Sequence, residues 1–295
     1  MAGLKESSGN GLFDALSDEQ PLQIAGVVNA YSALLAEASG FKCLYLSGAG
    51  VAVSSRGMPD LGMTTMDDVL TDLRRIRQAT DLPILVDVDT GWESVDETIK
   101  QMELAGASAI QLEDQISQKR CGHRPGKKLV SIDEMQTRIA EALRSRKTKM
   151  AIMARTDALA SEGIDAAIER LDAYVQAGAE LIFPEALSEL NQYRKIADKI
   201  DVPMLANMTE FGKTPLFNKS ELASAGVHMI LYPLSAFRAM SAAALKVYQA
   251  IRQDGDQKCM IDIMQNREEL YELINYYEFE EKIDEDFKVE GENYD

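Results

Sequence analysis

Short apolar runs alternate with longer amphipathic stretches along almost the whole chain. Each run is nearly continuous in Ile, Leu, Val, Met and Ala, as expected for strands of a parallel sheet that is covered on its outer side. Eight such strands separated by helices predict either a closed barrel or an open doubly wound sheet. The eight runs span residues 23–28, 43–47, 84–89, 109–114, 151–155, 181–184, 204–207 and 229–232.

Signals for helix starts and helix ends support the alternation of strands and helices. Ser94 and Ser131 each stand three residues before a glutamate, which is the spacing of a capping box at a helix start. Glycine favours the left-handed turn that ends a helix, and glycines stand shortly before three of the strands. No Gly-x-Gly-x-x-Gly follows a strand, so a dinucleotide-binding sheet is disfavoured. We therefore predict a (β/α)8 TIM-type barrel with helix exits at Gly106, Gly178 and Gly226.

The region after the eighth strand predicts two further helices, over residues 235–253 and 261–282. We expect one barrel domain over residues 1–295, with residues 256–295 forming a C-terminal helical extension and an acidic tail. The second helix is rich in Tyr and Leu, and such a surface requires a partner to cover it. The sequence therefore predicts an oligomer.

The charge of the chain limits its partners. The 295 residues include 48 acidic and 31 basic side chains, a formal net charge of −17. A strongly acidic surface repels phosphate backbones and anionic lipid, so nucleic acid and membranes are excluded as expected partners. No apolar run approaches the roughly 20 residues that span a bilayer. The polar first 20 residues lack the pattern of a secretory signal, and the three cysteines show no metal-ligand spacing, so we expect a cytoplasmic protein with reduced thiols.

Acidic residues follow two neighbouring strands. Asp87 and Asp89 end the third run and Glu113 ends the fourth, at the strand ends where barrel enzymes carry their chemistry. Alternate residues of a strand share a face, so Asp87 and Asp89 are expected to approach the barrel axis together. Oxygen ligands without His or Cys suit Mg²⁺ or Mn²⁺. The predicted metal cluster is Asp60, Asp87, Asp89 and Glu113, with one or two direct ligands and the others acting through water.

Residues 119–128 form a basic segment in this acidic chain, with five Lys or Arg and one His. It provides the local positive charge that an anionic substrate requires. Cys121 lies between Arg120 and His123, where neighbouring cations favour the thiolate. Glycines in the segment suit a loop that closes over substrate. A solvated basic loop with an incidental cysteine is the alternative interpretation.

These residues carry a resemblance to a known family. Residues 119–127 resemble the signature loop of the isocitrate lyase and phosphoenolpyruvate mutase superfamily. The Arg124-Pro125 pair after His123 is similar to the branch that acts on 2-methylisocitrate rather than isocitrate. The resemblance extends over residues 13–282 and is also carried by residues 46–48, 59–62, 87–91, 111–115, 153–158, 183–186, 206–212 and 231–238.

The resemblance implies cleavage of a small polycarboxylate, 2-methylisocitrate, to pyruvate and succinate in propionate breakdown. It implies Mg²⁺ bound by Asp87, with the metal acting as a Lewis acid that stabilises the developing enolate. It makes Cys121 the proton donor to the succinate half and implies a homotetramer that exchanges its C-terminal helices. The implied catalytic residues are Cys121, His123 and Arg155, and the implied substrate-binding residues are Ser47, Gly48, Ala49, Gly122, Glu185, Asn207, Met208, Thr209, Arg238 and Arg267.

The chain departs from the family pattern at Ala49 and Gly126 and in a shortened segment around residues 92–93, without loss of an implied catalytic group. Two alternatives stay open. One is a decarboxylase or phosphonopyruvate-type enzyme of the same superfamily, which shares the metal site but generally lacks the Cys-Gly-His loop. The other is a non-catalytic barrel that senses a carboxylate or serves as a structural oligomer.

Overall fold

The computed structural model of the chain describes residues 11–116 and 128–292, with side chains up to residue 285. Its central feature is a sheet of eight parallel strands in the order β6-β5-β4-β3-β2-β1-β8-β7. The strands are β1 (Leu22–Val27), β2 (Cys43–Leu46), β3 (Ile84–Asp87), β4 (Ala109–Glu113), β5 (Ala151–Thr156), β6 (Leu181–Pro184), β7 (Leu205–Asn207) and β8 (Met229–Tyr232).

The sheet closes on itself almost completely. The first and last strands pair in parallel, with Leu22 opposite Met229. Between β6 and β7, Ile182 forms a parallel bridge with Met204, and its backbone N–H donates to the carbonyl of Pro203 at 3.1 Å. The predicted TIM-type barrel is thereby confirmed, and the open doubly wound sheet is wrong.

Helices connect the strands along the barrel. Ser94 and Ser131 accept hydrogen bonds from backbone N–H groups three residues later, which confirms both as N-caps. Gly106, Gly178 and Gly226 have φ angles of 89°, 106° and 81°, so the predicted helix exits are also confirmed. The helices of this part are α1 (Gly11–Asp18), α2 (Ala30–Ala38), α3 (Gly48–Arg56), α4 (Met66–Ala79), α5 (Val95–Leu104), α6 (Ile132–Ser145), α7 (Leu159–Glu162), α8 (Ile164–Gln176), α9 (Leu190–Ala197) and α10 (Lys219–Ser224).

Alternate strand residues supply two separate apolar cores. Leu44 and Leu46 of β2 pack in the layer that also contains buried residues of α4 and α5. Cys43 and Tyr45 of the same strand belong to a second cluster, which is made of strand residues and of three residues of α1. Because successive side chains of a strand point to opposite faces, the second cluster is the barrel interior.

Contacts divide the chain into two units, residues 1–236 and 237–295. The second unit contains most of α11 (Ser235–Asp254), a 3₁₀ helix (Lys258–Ile263), α12 (Arg267–Leu273) and α13 (Tyr276–Glu292). The expectation of one helix over 261–282 is wrong, because Asn266 caps a new helix and Asn275 adopts a left-handed φ of 52°. The predicted extension over 256–295 stays a prediction. Within the described residues no helix has the length and hydropathy required to cross a bilayer.

Gly26 of β1 should tolerate no side chain. A Cβ built on it would lie 1.8 Å from the carbonyl oxygen of Pro233, which follows β8. Overpacking a core costs about 1–3 kcal/mol, and backbone against strand leaves little room to relax, so we expect Gly26→Ala to lie at or above the top of that range. Urea unfolding at equilibrium measures the loss.

Gly57→Ala is the matched control for this substitution. Gly57 has a φ of 63°, but an added Cβ would meet no atom within 4 Å. Only the backbone penalty of about 1–2 kcal/mol applies there. Equal losses in the two variants would contradict a steric origin of the effect at Gly26.

Candidate active site

Polar side chains end the inward-facing rows of the strands at the carboxyl end of the barrel. In β3 Leu85 lies in the inner cluster, and Asp87 follows it on the same face two residues later. In β4 the inward row runs from Ala109 through Gln111 to Glu113. The same two-residue step leads from Met153 to Arg155, from Phe183 to Glu185 and from Leu205 to Asn207.

Asp87 is buried and held by three N–H donors. The backbone N–H of Gly48 donates to its Oδ2 at 3.2 Å. The backbone N–H of Asp89, at 3.1 Å, and Nε2 of Gln111, at 3.2 Å, donate to its Oδ1. These contacts fix the orientation of the carboxylate without neutralising its charge.

Asp89 lies near Asp87, as expected, but it does so through a turn and not as part of the strand. Strand β3 ends at Asp87, and Asp89 has a left-handed φ of 49°, so the expectation that the two share a strand face is wrong. The turn nevertheless brings them together, because a Cβ built on Gly48 would lie 3.4 Å from Asp87 Oδ2 and from Asp89 Oδ1. Both carboxylates therefore face the start of α3.

The β2–α3 junction places three of the predicted substrate-binding residues. Ser47 is the N-cap of α3, and in the described part of the chain its hydroxyl makes no capping hydrogen bond. Gly48 begins the helix and its N–H points to Asp87, while Ala49 is half-buried in the first turn. The partial positive charge of a helix start therefore lies beside the two carboxylates.

Arg155 lies among carboxylates. Its Nε is 3.0 Å from Oδ2 of Asp157 and 3.4 Å from Oε2 of Glu113. Its Nη2 is 3.3 Å from Oε2 of Glu185, and its guanidinium carbon lies 5.0 Å from the centre of the Phe183 ring. Burial opposes the charged form, but Asp157, Glu185 and Glu113 together hold the pKa of Arg155 well above its ordinary value. The guanidinium therefore stays charged and fixed in orientation.

This group of side chains carries a surplus of negative charge. Asp87, Asp89, Glu113, Asp157 and Glu185 are all buried, and among the described residues Arg155 is the cation that pairs with the last three. Like charges this close require a compensating cation, and oxygen donors without His or Cys suit a hard divalent ion.

The arrangement fits a metal that keeps much of its water. No three Asp, Glu, His or Cys side chains of the described residues are arranged to ligate one ion directly. Mg²⁺ typically binds through one or two carboxylates and several waters, so the donor set is compatible with it. The predicted metal cluster is thus compatible with an ion held largely through water.

Glu185 and Asn207 extend the site towards β7. Nδ2 of Asn207 donates to Oε2 of Glu185 at 3.3 Å, and the N–H of Ala186 donates to Oε1 of Glu185 at 2.9 Å. Oδ1 of Asn207 is buried and has no hydrogen-bond partner among the described residues. Met208 and Thr209 follow and are both buried. An acceptor of this kind suits a substrate hydroxyl or carboxyl proton.

A buried network behind Arg155 was not predicted as part of the site. Asp114 accepts hydrogen bonds from the Thr156 hydroxyl at 2.6 Å, the Asp157 N–H at 3.0 Å and the Tyr174 hydroxyl at 2.9 Å. Burial raises the pKa of Asp114, and Arg170 lies 3.7 Å from it. The acidic pair that ends the fourth apolar run was the available signal for Asp114. No comparable signal in the sequence indicated Arg170 and Tyr174, the helix residues that complete the network.

The remaining predicted residues are distributed as follows. Asp60 is half-exposed in the loop between α3 and α4. Arg238 lies on α11 and Arg267 begins α12, both in the second unit. Their roles stay predictions. Cys121, Gly122 and His123 lie outside the described residues.

The family of the chain follows from comparison with known proteins. Residues 13–252 match the family described as phosphoenolpyruvate phosphomutase. The chain belongs to this family.

Relatives of the phosphoenolpyruvate phosphomutase family fall into several activities. The chain is 57% identical to the 2-methylisocitrate lyase of Salmonella typhimurium, over 94% of this chain and 96% of that protein. Its fold is similar to crystalline 2,3-dimethylmalate lyase, with a TM-score of 0.85, 30% identity and coverage of 97% and 95%. It is also similar to phosphonopyruvate hydrolase in complex with oxalate and Mg²⁺, with a TM-score of 0.81, 26% identity and coverage of 93% and 97%.

Removal of the Arg155 charge should destabilise the barrel. In Arg155→Met, Glu113, Asp157 and Glu185 lose their buried partner, and breaking such a pair costs about 3–5 kcal/mol. Stranded carboxylates bind protons more tightly in the folded than in the unfolded state, so the loss should shrink as the pH falls from 7 to 5. Urea unfolding at both pH values measures it.

Arg56→Met is the matched control. Arg56 pairs with Asp68 at 2.9 Å, but half of its side chain is exposed. Exposed pairs contribute about 0–1 kcal/mol, so little change is expected at either pH. A pH-independent loss in Arg155→Met would argue against stranded carboxylates as its cause.

Proposed function

We propose that this chain is a Mg²⁺-dependent 2-methylisocitrate lyase, which cleaves its substrate to pyruvate and succinate. The proposal rests on one observation above the others: a buried group of carboxylates around Arg155 at the carboxyl end of a barrel. The high identity to 2-methylisocitrate lyases supports the choice of substrate.

The acidic residues would hold the metal. Asp87, oriented by its three N–H donors, is the proposed direct ligand, and Asp89, Glu113 and Asp60 are proposed to hold its waters. When bound, Mg²⁺ supplies Lewis-acid stabilisation of negative charge on the oxygens of the pyruvate half. The phosphonopyruvate hydrolase complex with oxalate and Mg²⁺ supports this choice, because that protein has a similar fold and was crystallised with a small dicarboxylate and this ion.

The surrounding residues would bind and orient the two halves of the substrate. Ser47, Gly48, Ala49, Arg155 and Glu185 are proposed to contact the pyruvate half. Of the Arg155 nitrogens, Nε and Nη2 are engaged by carboxylates, and Nη1 has no hydrogen-bond partner among the described residues. Nη1 can therefore donate to a substrate carboxylate. The succinate half is proposed to contact Gly122, His123, Asn207, Met208, Thr209, Arg238 and Arg267.

The reaction requires two proton movements. A base removes the proton from the substrate hydroxyl, the adjacent carbon–carbon bond breaks, and a carbonyl forms in the pyruvate half. The electron pair of the broken bond stays on the succinate carbon, which takes a proton from the Cys121 thiol. His123 and the basic residues around Cys121 are proposed to keep the resulting thiolate stable until it is reprotonated.

Phe183 offers a basis for substrate choice. The side chain is almost fully buried in the barrel interior, and its ring lies against the Arg155 guanidinium, which is proposed to contact the substrate. The resemblance implies a bulkier aromatic at this place in isocitrate lyases, so Phe183 would leave room for the additional methyl group. A group of that size is worth about 1–3 kcal/mol of discrimination.

We also propose a cytoplasmic homotetramer with exchanged C-terminal helices. Apolar side chains are exposed on α11, among them Leu245, Tyr248 and Ile251. Apolar exposure of this kind on one helix supports contact with another subunit.

A comparison of substrates tests the proposed reaction. With Mg²⁺ present, pyruvate release should be fastest from 2-methylisocitrate, slower release of glyoxylate should occur from isocitrate, and oxaloacetate should give no product. Chelation with EDTA should abolish the activity, and added Mg²⁺ should restore it. Preferred turnover of oxaloacetate would favour the decarboxylase alternative, and no turnover of any substrate would favour the non-catalytic barrel.

Cys121→Ser tests the proposed proton donor. A positioned acid contributes about 10²–10⁴-fold to a rate, so cleavage should slow by at least the lower figure. The pH–rate profile should lose the limb that belongs to the thiol, while the melting temperature should stay unchanged. A rate equal to that of the native chain would remove Cys121 from the mechanism.

A further inference from the structure

Two neutral side chains link the barrel interior to the carboxylate of Asp87. The Tyr45 hydroxyl donates to Oε1 of Gln111 at 2.8 Å. Nε2 of the same amide donates to Oδ1 of Asp87 at 3.2 Å. The three side chains thus form one hydrogen-bonded chain across strands β2, β4 and β3.

The sheet register produces this contact. Tyr45 is the register partner of Leu85 in β3, and Asp87 is the register partner of Gln111 in β4. The three polar residues therefore occupy inward positions of three adjacent strands. Gln111 is fully buried, and Tyr45 is 3% exposed.

The hydroxyl fixes the direction of the amide. Oε1 of Gln111 can only accept and Nε2 can only donate, so the amide is oriented when a donor faces its oxygen. The Tyr45 hydroxyl is that donor. With the oxygen occupied, the amide presents N–H to Asp87 rather than a repelling oxygen.

The position of these residues argues against a role in packing alone. The neighbouring inward residues Leu85, Ala109 and Met153 are apolar and fill the same layer. Burying a hydroxyl and an amide among them carries a desolvation cost that their hydrogen bonds must offset. An apolar pair would fill the space without that cost. It would, however, remove one of two donors to Oδ1 of Asp87, the Gln111 amide, and keep the other, the Asp89 N–H.

We infer that Gln111, oriented by Tyr45, is a positioning residue that holds the Asp87 carboxylate in the direction needed to bind the divalent cation. The inference rests on the proposed function, because it takes Asp87 as a metal ligand. Groups that orient a ligand in this way typically change metal affinity by about 10–100-fold when they are lost.

Binding of Mn²⁺ to the full chain, followed by electron paramagnetic resonance of the free ion, tests the inference without recourse to activity. Gln111→Met keeps the length of the side chain and removes the donor, and should raise the Mn²⁺ dissociation constant about tenfold. Tyr45→Phe keeps the ring and removes the hydroxyl that orients the amide, and should shift the constant in the same direction. Turnover of either variant should recover at high Mg²⁺ concentration.

Gln176→Met is the matched control. Nε2 of Gln176 donates to Oδ2 of Asp172 at 2.7 Å on the exposed side of α8, so the same amide-to-aspartate bond is removed far from the barrel interior. Its Mn²⁺ dissociation constant should equal that of the native chain. Melting temperatures identify variants that fail to fold, and Tyr45→Phe then carries the test.

The outcomes separate this inference from the proposed function. If the native chain binds no Mn²⁺, the proposed metal dependence is refuted and the inference with it. If the native chain binds one Mn²⁺ and Gln111→Met binds it within twofold as tightly, Gln111 has no positioning role while the metal site stands. A fall in turnover that high Mg²⁺ does not reverse would also overturn the inference.

Discussion

The two-residue period of a strand in a closed parallel barrel places Asp87, Glu113 and Arg155, around which the site is built. When the apolar side chains of a strand line the inner face, every second residue towards the carboxyl end of the strand points into the barrel as well. Asp87, Glu113 and Arg155 continue the inward rows that contain Leu85, Ala109 and Met153. The same alternation that buries the core therefore brings charged groups from separate strands to one point. Their mutual attraction and repulsion follow from that geometry.

Two buried arginines form ion pairs with the acidic residues at the carboxyl end of the barrel. Arg155 compensates Glu113, Asp157 and Glu185, while Arg170 stands behind them beside Asp114. Arg170 is in turn held by Glu162 of α7 through two contacts of 2.7 and 2.8 Å. Asp87 and Asp89 face the start of α3. Arginine thus contacts several of these carboxylates, and the start of α3 contacts Asp87.

Much of the fold could be predicted because its signals are local. Apolar runs locate the eight strands to within two residues, and the glycine before a strand marks the helix exit without knowledge of the tertiary structure. The error at residues 261–282 arose because periodicity persisted across two helices, although the Asn266–Glu269 capping pair marks the new start. The single turn at Asp89 was missed for a related reason, since nothing in the local pattern distinguishes a strand end from a strand interior.

The site could be predicted only in part. Strand-end acids and Arg155 were identified because each follows an apolar run, and the structure brings Arg155, Glu113 and Glu185 together. Gln111 lies within a run and pairs across strands, so its partner depends on register, which the sequence alone does not provide. Arg170 and Tyr174 come from a helix face whose rotation against the sheet is equally hidden.

The close approach of Gly26 to Pro233 has a consequence for how the chain assembles. These residues join the first strand to the segment after the last, so the barrel seam can form only when nearly the entire barrel sequence is present. Contacts between distant parts of a chain are slow to form, because the entropy of a long loop is lost first. Until β8 docks, β1 and β7 present unpaired backbone edges, and such edges recruit strands from other molecules. An incomplete or stalled chain of this protein would thus be prone to aggregation rather than simply inactive.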